Sequence, residues 1–126
     1  MPVRGSRFIN ISSTASKDTN HDPIIAYGAS KTALDSFTQS LTARFAMEKH
    51  TTNSVSVGWT ETDASLAALK TMPEEVLEKT KARQTADHRM GVPEDIAMVV
   101  GFLASEESRW INDTNVLANG GSLLLL

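Results

Sequence analysis

The sequence has no cysteine among its 126 residues. Disulfide bonds and thiolate metal sites are therefore excluded, which suits a reducing environment. No apolar run approaches the roughly 20 residues that a membrane-spanning helix requires, and the four leucines at 123–126 are far too few. No apolar segment of the signal-peptide type precedes the first predicted strand. We therefore expect a cytoplasmic protein that makes no membrane contact.

Glycine is scarce, and the excess of negative over positive charge is small. The seven glycines form no GxGxxG, the turn that cradles the pyrophosphate of a dinucleotide. A net charge of -3 creates no basic field, so we expect no nucleic-acid partner. The apolar fraction of 40% and the charged fraction of 21% are ordinary for one globular domain.

The hydrophobic pattern predicts strands and helices in alternation. Strands are predicted at 8–13, 53–57 and 115–118, a long helix at 24–49, short helices at 62–70 and 73–83, and a further helix from Pro93. The order strand, helix, strand, helix, strand predicts the α/β class, with parallel strands joined by crossover helices.

Three local predictions concern these elements. The long helix carries an apolar stripe that should face the core, made of Ala33, Leu34, Phe37, Leu41 and Phe45. Thr71 and Glu74 match a capping box at the start of the second short helix. His50 and His88 stand in polar surroundings, which favours surface positions.

A polar loop and a helix follow the first strand. Asp18, Asn20, His21 and Asp22 lie close together, but one flexible loop without a second ligand set favours solvated side chains. We therefore expect no metal site.

Tyr27 and Lys31 are four residues apart on the long helix. At this spacing a phenol and an ammonium lie on one face and can meet a common ligand. A nearby ammonium favours the phenolate, which makes the phenol a usable proton donor or acceptor. Ser13, at the end of the first strand, could hold a carbonyl or hydroxyl against the phenol. By itself YxxxK is a weak signal, since such pairs occur on many solvated helix faces.

Four blocks in a fixed order make the pattern specific: INISS before YGASK, then NSVSVGWTETD, then RMGVPEDIAMVVGFLASEESRWI, and finally ANGG. With these blocks the chain resembles the C-terminal half of the short-chain dehydrogenase/reductase family. The resemblance implies a partial Rossmann fold of three α/β/α layers with about three parallel strands. Residues 1–126 would form a single partial domain with a substrate-loop insertion at 62–90. In the family, NAD(H) or NADP(H) reduces a carbonyl or oxidises an alcohol.

The resemblance implies catalytic roles for Ser13, Tyr27 and Lys31. Ser13 would hydrogen-bond the substrate oxygen, whereas strand alternation points Ser12 to the opposite side. Tyr27 would act as general acid in reduction and as general base in oxidation. Lys31 would hold the nicotinamide ribose hydroxyls and favour the Tyr27 phenolate.

The turn after the second strand would bind the cofactor carboxamide. At the family's contact positions stand Gly58, Thr60 and Thr62. Val57 replaces a family proline, and we expect a slightly looser turn without loss of a contact group. In the turn before the last strand, Asp113 replaces a glycine, which Asp tolerates better than most residues.

The resemblance also implies partners. Trp59, Leu66 and Leu69 are candidate contacts to a small-molecule carbonyl or alcohol substrate. The segments INISSTASK and NSVSVGWTETD are similar to the corresponding segments of reductases of fungal secondary metabolism that act on aromatic or polyketide ketones. The family's Tyr/Lys helix packs on its copy, which predicts a homodimer or homotetramer.

Two functions of different class are consistent with the sequence. The first is an NAD(P)(H)-dependent oxidoreductase that reduces a ketone or oxidises a secondary alcohol. The second is a truncated, catalytically inactive remnant or partner-binding module without cofactor binding, because the glycine-rich half of the family pattern is missing.

Overall fold

The computed structural model describes residues 5–19 and 24–123. The strands are β1 (Arg7–Ser13), β2 (Thr51–Val57) and β3 (Asn115–Ala118); the helices are α1 (Ile25–Phe45), α2 (Asp63–Thr71), α3 (Glu74–Ala82) and α4 (Pro93–Ala104). Short 3₁₀ turns lie at Thr14–Ser16, Ala46–Glu48 and Glu106–Ser108. The predicted order of elements and the α/β class are confirmed.

The three strands form one parallel sheet in the order β1-β2-β3. Ser13 lies opposite Val57, and Ser54 lies opposite Asn115. β1 is an edge strand, and no described residue pairs with its outer side. This arrangement is a partial Rossmann-like fold, and it places the carboxyl ends of β1 and β2 side by side.

The two faces of the sheet differ in chemistry. Asn10 Nδ2 donates to Thr38 Oγ1 of α1 at 2.9 Å, so α1 covers the face of Asn10. Arg7, whose side chain points to the other face, pairs with Glu106 just after α4 at 3.1 Å. The α1 side is mostly polar and carries Asn10, Ser12, Thr52, Ser54, Ser56 and Asn115, together with the apolar Phe8 and Leu117. The α4 side is mixed: its apolar residues are Ile9, Ile11, Val55, Val57, Val116 and Ala118, and its polar residues are Arg7, Ser13, Thr51 and Asn53.

The polar face corrects the prediction for the long helix. The buried residues of α1 are Gly28, Asp35 and Thr38, and the predicted stripe is at most half-buried, with Phe37 56% exposed. Hydrogen-bonding side chains face the sheet because the strand residues beneath them are polar. At the end of the helix the stripe does pack, since the rings of Phe45 and Phe8 stack with centroids 5.0 Å apart.

The predicted capping box is also wrong. The Thr71 hydroxyl bonds back to carbonyls of its own helix, and α3 begins after Pro73 without a side-chain cap. The capping box lies one helix earlier, where Ser65 N donates to Thr62 Oγ1 and Thr62 N donates to Ser65 Oγ. An N-cap needs extended backbone, and Thr62 has it.

The two histidines have different environments. His50 is only 4% exposed, contrary to prediction, because its ring meets Phe8 and Phe45 edge to face and its Nδ1 accepts from Ser6 N at 3.0 Å. His88 is exposed, as predicted. Asp113 adopts a positive φ of 57°, the conformation that a glycine would favour.

Neither a metal-binding cluster nor a membrane-spanning helix is present among the described residues. The described residues include no group of acidic, histidine or cysteine side chains that could hold a metal, although Asn20, His21 and Asp22 lie outside them. Within the same residues, every helix is too short or too polar to cross a membrane.

We expect Leu103→Ala to lower the free energy of unfolding by about 2–5 kcal/mol, since it empties a fully buried site under α4. Met98→Ala, at a 78% exposed position of the same helix, should change it by less than about 0.5 kcal/mol. Urea denaturation measures both, and equal effects would show that α4 does not bury Leu103.

We expect Asp95→Asn to flatten the acid dependence of stability. Hydrogen bonds from Arg89 and from Val92 N lower the pKa of Asp95 to about 2. A lowered pKa contributes stability above the ordinary value of about 3.8 and loses it as the pH falls towards 2. Denaturation between pH 2 and pH 6 compares the two proteins, and Glu94→Gln is the neighbouring control. Parallel pH curves would contradict this role of Asp95.

Candidate active site

Tyr27 and Lys31 share one face of α1, as the spacing predicted. Lys31 Nζ lies 5.6 Å from the centroid of the Tyr27 ring. The same ammonium donates to the Ile11 carbonyl on β1 at 2.9 Å. Tyr27 is 48% exposed, so its phenol is open to a ligand. The cation is thus bound to the strand that ends in Ser13, and the phenol ring lies beside the cation on the helix.

Ser13 is the last residue of β1 and is nearly buried. Its Oγ accepts from Ala15 N at 3.1 Å, which leaves the hydroxyl proton for another acceptor. In the sheet register Ser13 is paired with Val57, and Thr14 Oγ1 donates to the Val57 carbonyl at 3.5 Å. The Ser13 hydroxyl therefore lies at the carboxyl end of the sheet, beside the turn that follows β2.

The turn after β2 requires a glycine. Gly58 N donates to the Ala118 carbonyl at 2.9 Å, and a Cβ on Gly58 would lie 2.8 Å from Cα and Cβ of Asn119. Thr60 Oγ1 donates back to the Gly58 carbonyl at 3.1 Å. The close approach of two chain segments holds this turn against β3.

The segment between Thr60 and Gly91 has its two ends joined by hydrogen bonds. Thr60 and Gly91 form an isolated parallel bridge, with Glu61 N donating to the Gly91 carbonyl and Gly91 N to the Trp59 carbonyl. Thr62 uses its hydroxyl as the cap of α2. The side chains of Trp59 and Leu66 are partly exposed and Leu69 is half-buried.

These groups fit the nicotinamide end of a dinucleotide. Lys31 offers an ammonium with three donors, enough for ribose hydroxyls in addition to the Ile11 carbonyl. The backbone around Gly58 and Thr60 can meet a carboxamide. The hydroxyls of Thr60 and Thr62 already make hydrogen bonds within the turn and the helix cap, and Thr62 N donates to Ser65 Oγ, so Thr62 would have to exchange a capping bond to meet the carboxamide.

Asp35 is a site residue that the sequence analysis missed. It lies one turn beyond Lys31, and its carboxylate accepts from Ser16 Oγ at 2.6 Å, Lys17 Nζ at 2.8 Å and Asn115 Nδ2 at 3.1 Å. Burial alone would raise the pKa of Asp35, but the neighbouring Lys17, Ser16 and Ser12 side chains outweigh it and lower the pKa. The spacing Tyr27, Lys31, Asp35 was the available signal.

Comparisons with known proteins identify the family of the chain. Residues 1–122 match the family model described as enoyl-(acyl carrier protein) reductase. The short chain dehydrogenase asqE of Emericella nidulans is 52% identical over 122 residues, which cover 96% of this chain and 45% of asqE. The chain belongs to the short-chain dehydrogenase/reductase family. It spans about half the length of the curated relatives that it matches.

Two solved structures of the family are similar to the chain. The reductase LugOII, described as catalysing keto-reduction at C1 in lugdunomycin biosynthesis, has a TM-score of 0.81 and 34% identity, covering 97% of this chain and 46% of LugOII. The angucycline C-6 ketoreductase LanV with bound NADP has a TM-score of 0.81 and 33% identity, covering 95% of this chain and 44% of LanV. LanV has also been solved with NADP and rabelomycin.

We expect Gly58→Ala to lower the free energy of unfolding by about 1–3 kcal/mol, because the new methyl group meets the Asn119 backbone. Gly101→Ala, in α4, meets nothing within 4 Å and should stabilise the protein by about 0.5–1 kcal/mol. Thermal unfolding of the two variants tests the pair, and a neutral Gly58→Ala would show that the turn can move away from β3.

Proposed function

We propose that this chain carries the proton-transfer residues of an NAD(P)(H)-dependent reductase that reduces a ketone or oxidises a secondary alcohol. The observation that carries this proposal is the pairing of Tyr27 with Lys31 on α1, with the Lys31 ammonium held at β1 two residues before Ser13. Phenol, ammonium and hydroxyl are the groups that such a reaction needs from the protein.

In reduction, the Tyr27 phenol donates its proton to the carbonyl oxygen of the substrate. The Ser13 hydroxyl donates a hydrogen bond to the same oxygen, which stabilises the negative charge that develops there. The Lys31 ammonium stabilises the phenolate that remains. When bound, the nicotinamide cofactor supplies the hydride. In oxidation the Tyr27 phenolate takes the proton from the alcohol.

The cofactor, NADP or NAD, would be held by Tyr27 and Lys31 at the ribose and by Gly58, Thr60 and Thr62 at the carboxamide. The substrate would be an aromatic or polyketide ketone that contacts Ser13, Trp59 and Leu66. LanV with NADP and rabelomycin, and LugOII as a keto-reductase, support this class of ligand.

We also propose that the protein forms a homodimer or homotetramer through α1. The support is the outward face of this helix, on which Phe37 is 56% exposed and Ala33 and Ser36 are exposed beside it. Small and apolar side chains on one helix face allow close packing against a second copy.

Tyr27→Phe should lower turnover at least about 100-fold, since the variant keeps the ring and loses only the proton donor. The control is Met98→Ala, at a 78% exposed position of α4 that belongs neither to the proposed site nor to the proposed interface. NADPH and NADH oxidation are followed with an aromatic ketone, first with this chain and then with the chain fused to the part of asqE that it does not match.

Unchanged turnover in Tyr27→Phe would overturn the proposed role of the phenol. Absence of turnover in both wild-type forms would overturn the proposed reaction. If the isolated chain also fails to bind either cofactor in a fluorescence titration, the partner-binding alternative is favoured for it. The surface that supports this alternative is the outer edge of β1, which pairs with no residue in 5–19 or 24–123.

A further inference from the structure

We propose that Asp35 is a positioning residue that holds Ser13 in place relative to Tyr27, an inference that rests on the function proposed above. Asp35 does not touch the reacting atoms in this role. It acts on the turn that follows Ser13, and the catalytic helix α1 is the support from which it acts.

The contacts of Asp35 converge on this turn. Ser16 Oγ and Lys17 Nζ both reach the carboxylate oxygen Oδ2, and both residues follow Ser13 within four positions. Thr32 Oγ1 adds a second tie from α1, because it donates to the Ser16 carbonyl at 3.0 Å. The turn is thus fastened to α1 by a side-chain ion pair and two hydrogen bonds.

The other carboxylate oxygen faces the sheet. Asp35 Oδ1 accepts from Asn115 Nδ2, which also donates to Ser54 Oγ at 2.7 Å. Asp35 therefore fixes α1 against β2 and β3 as well as against the turn. Three elements meet at one carboxylate, and none of them can shift without breaking a buried hydrogen bond.

Tyr27 and Asp35 are parts of the same rigid helix. Eight residues of α-helix span about 12 Å, so the phenol and the anchoring carboxylate keep a constant separation. Ser13 is connected to the anchor through the short turn Thr14–Ser16. Anchoring this turn to α1 therefore sets the position of the Ser13 hydroxyl relative to the phenol, which is the geometry that proton transfer needs.

One hydrogen bond reports the orientation of Ser13 without any catalysis. Ser13 Oγ accepts from the Ala15 amide, so exchange of that amide proton with solvent measures how well the hydroxyl is held. Asp35→Asn preserves shape and removes the charge that binds Lys17. Glu106→Gln is the matched control, since Glu106 also carries an ion pair, to Arg7 at 3.1 Å, and Arg7 lies at the opposite end of β1 from Ser13.

In Asp35→Asn we expect exchange of the Ala15 amide to be about tenfold faster and kcat to fall about tenfold, with KM changed less than about twofold. Lys17→Met, which removes the cation alone, should shift both quantities in the same direction by a smaller factor. Glu106→Gln should change neither. NMR exchange uses the isolated chain, and kinetics use whichever form turns over.

The outcomes separate this proposal from the proposed function. Exchange at Ala15 that is unchanged in Asp35→Asn, or kcat unchanged while the melting temperature falls, would overturn the positioning role. If Asp35→Asn does not fold, Lys17→Met decides by the same readouts. If no wild-type form turns over, the proposed function fails, and the exchange comparison still tests whether Asp35 orients Ser13.

Discussion

Helix α1 rests on the sheet through hydrogen bonds, and the remaining structure depends on that contact. Most packed helices bury an apolar stripe, whereas α1 buries Asp35 and Thr38 against polar strand residues. The hydroxyls of Thr52 and Ser56 are buried there without a hydrogen-bond partner among the described residues, and each such group costs about 1–3 kcal/mol. The hydrogen bonds and ion pair that α1 does form with the sheet and the turn must therefore offset this cost. Most of them converge on the Asp35 carboxylate, which pairs with Lys17.

This contact also explains how the chain brings its functional groups together. Parallel strands end at the same edge of a sheet, so Ser13 and the turn at Gly58 are neighbours because β1 and β2 pair. The helix brings Tyr27 and Lys31 to the same region only if its position on the sheet is fixed. A polar interface specifies the position of the helix on the sheet more sharply than an apolar interface, since hydrogen bonds have direction and are lost when the helix slides.

Much of the fold was predictable from the sequence, and the errors share a cause. Strand and helix positions follow from local periodicity, and β3 has the predicted bounds. The stripe of α1, the burial of His50 and the cap of α3 were wrong because each depends on what packs against the segment. For the site, the motif identified Tyr27 and Lys31, whereas Asp35 stood out only when Ser16 and Asn115 were seen around it.

The sequence by itself determined the class of fold, the order of the elements and the family, because periodicity and motif spacing are local properties of the chain. Tertiary structure alone decided which face of α1 is buried, that Lys31 reaches the Ile11 carbonyl, and that one carboxylate joins α1, β3 and the turn after Ser13. Asp35 and Asn115 are 80 positions apart. Contacts over such separations follow from the pairing of strands and the packing of helices, which no local pattern encodes.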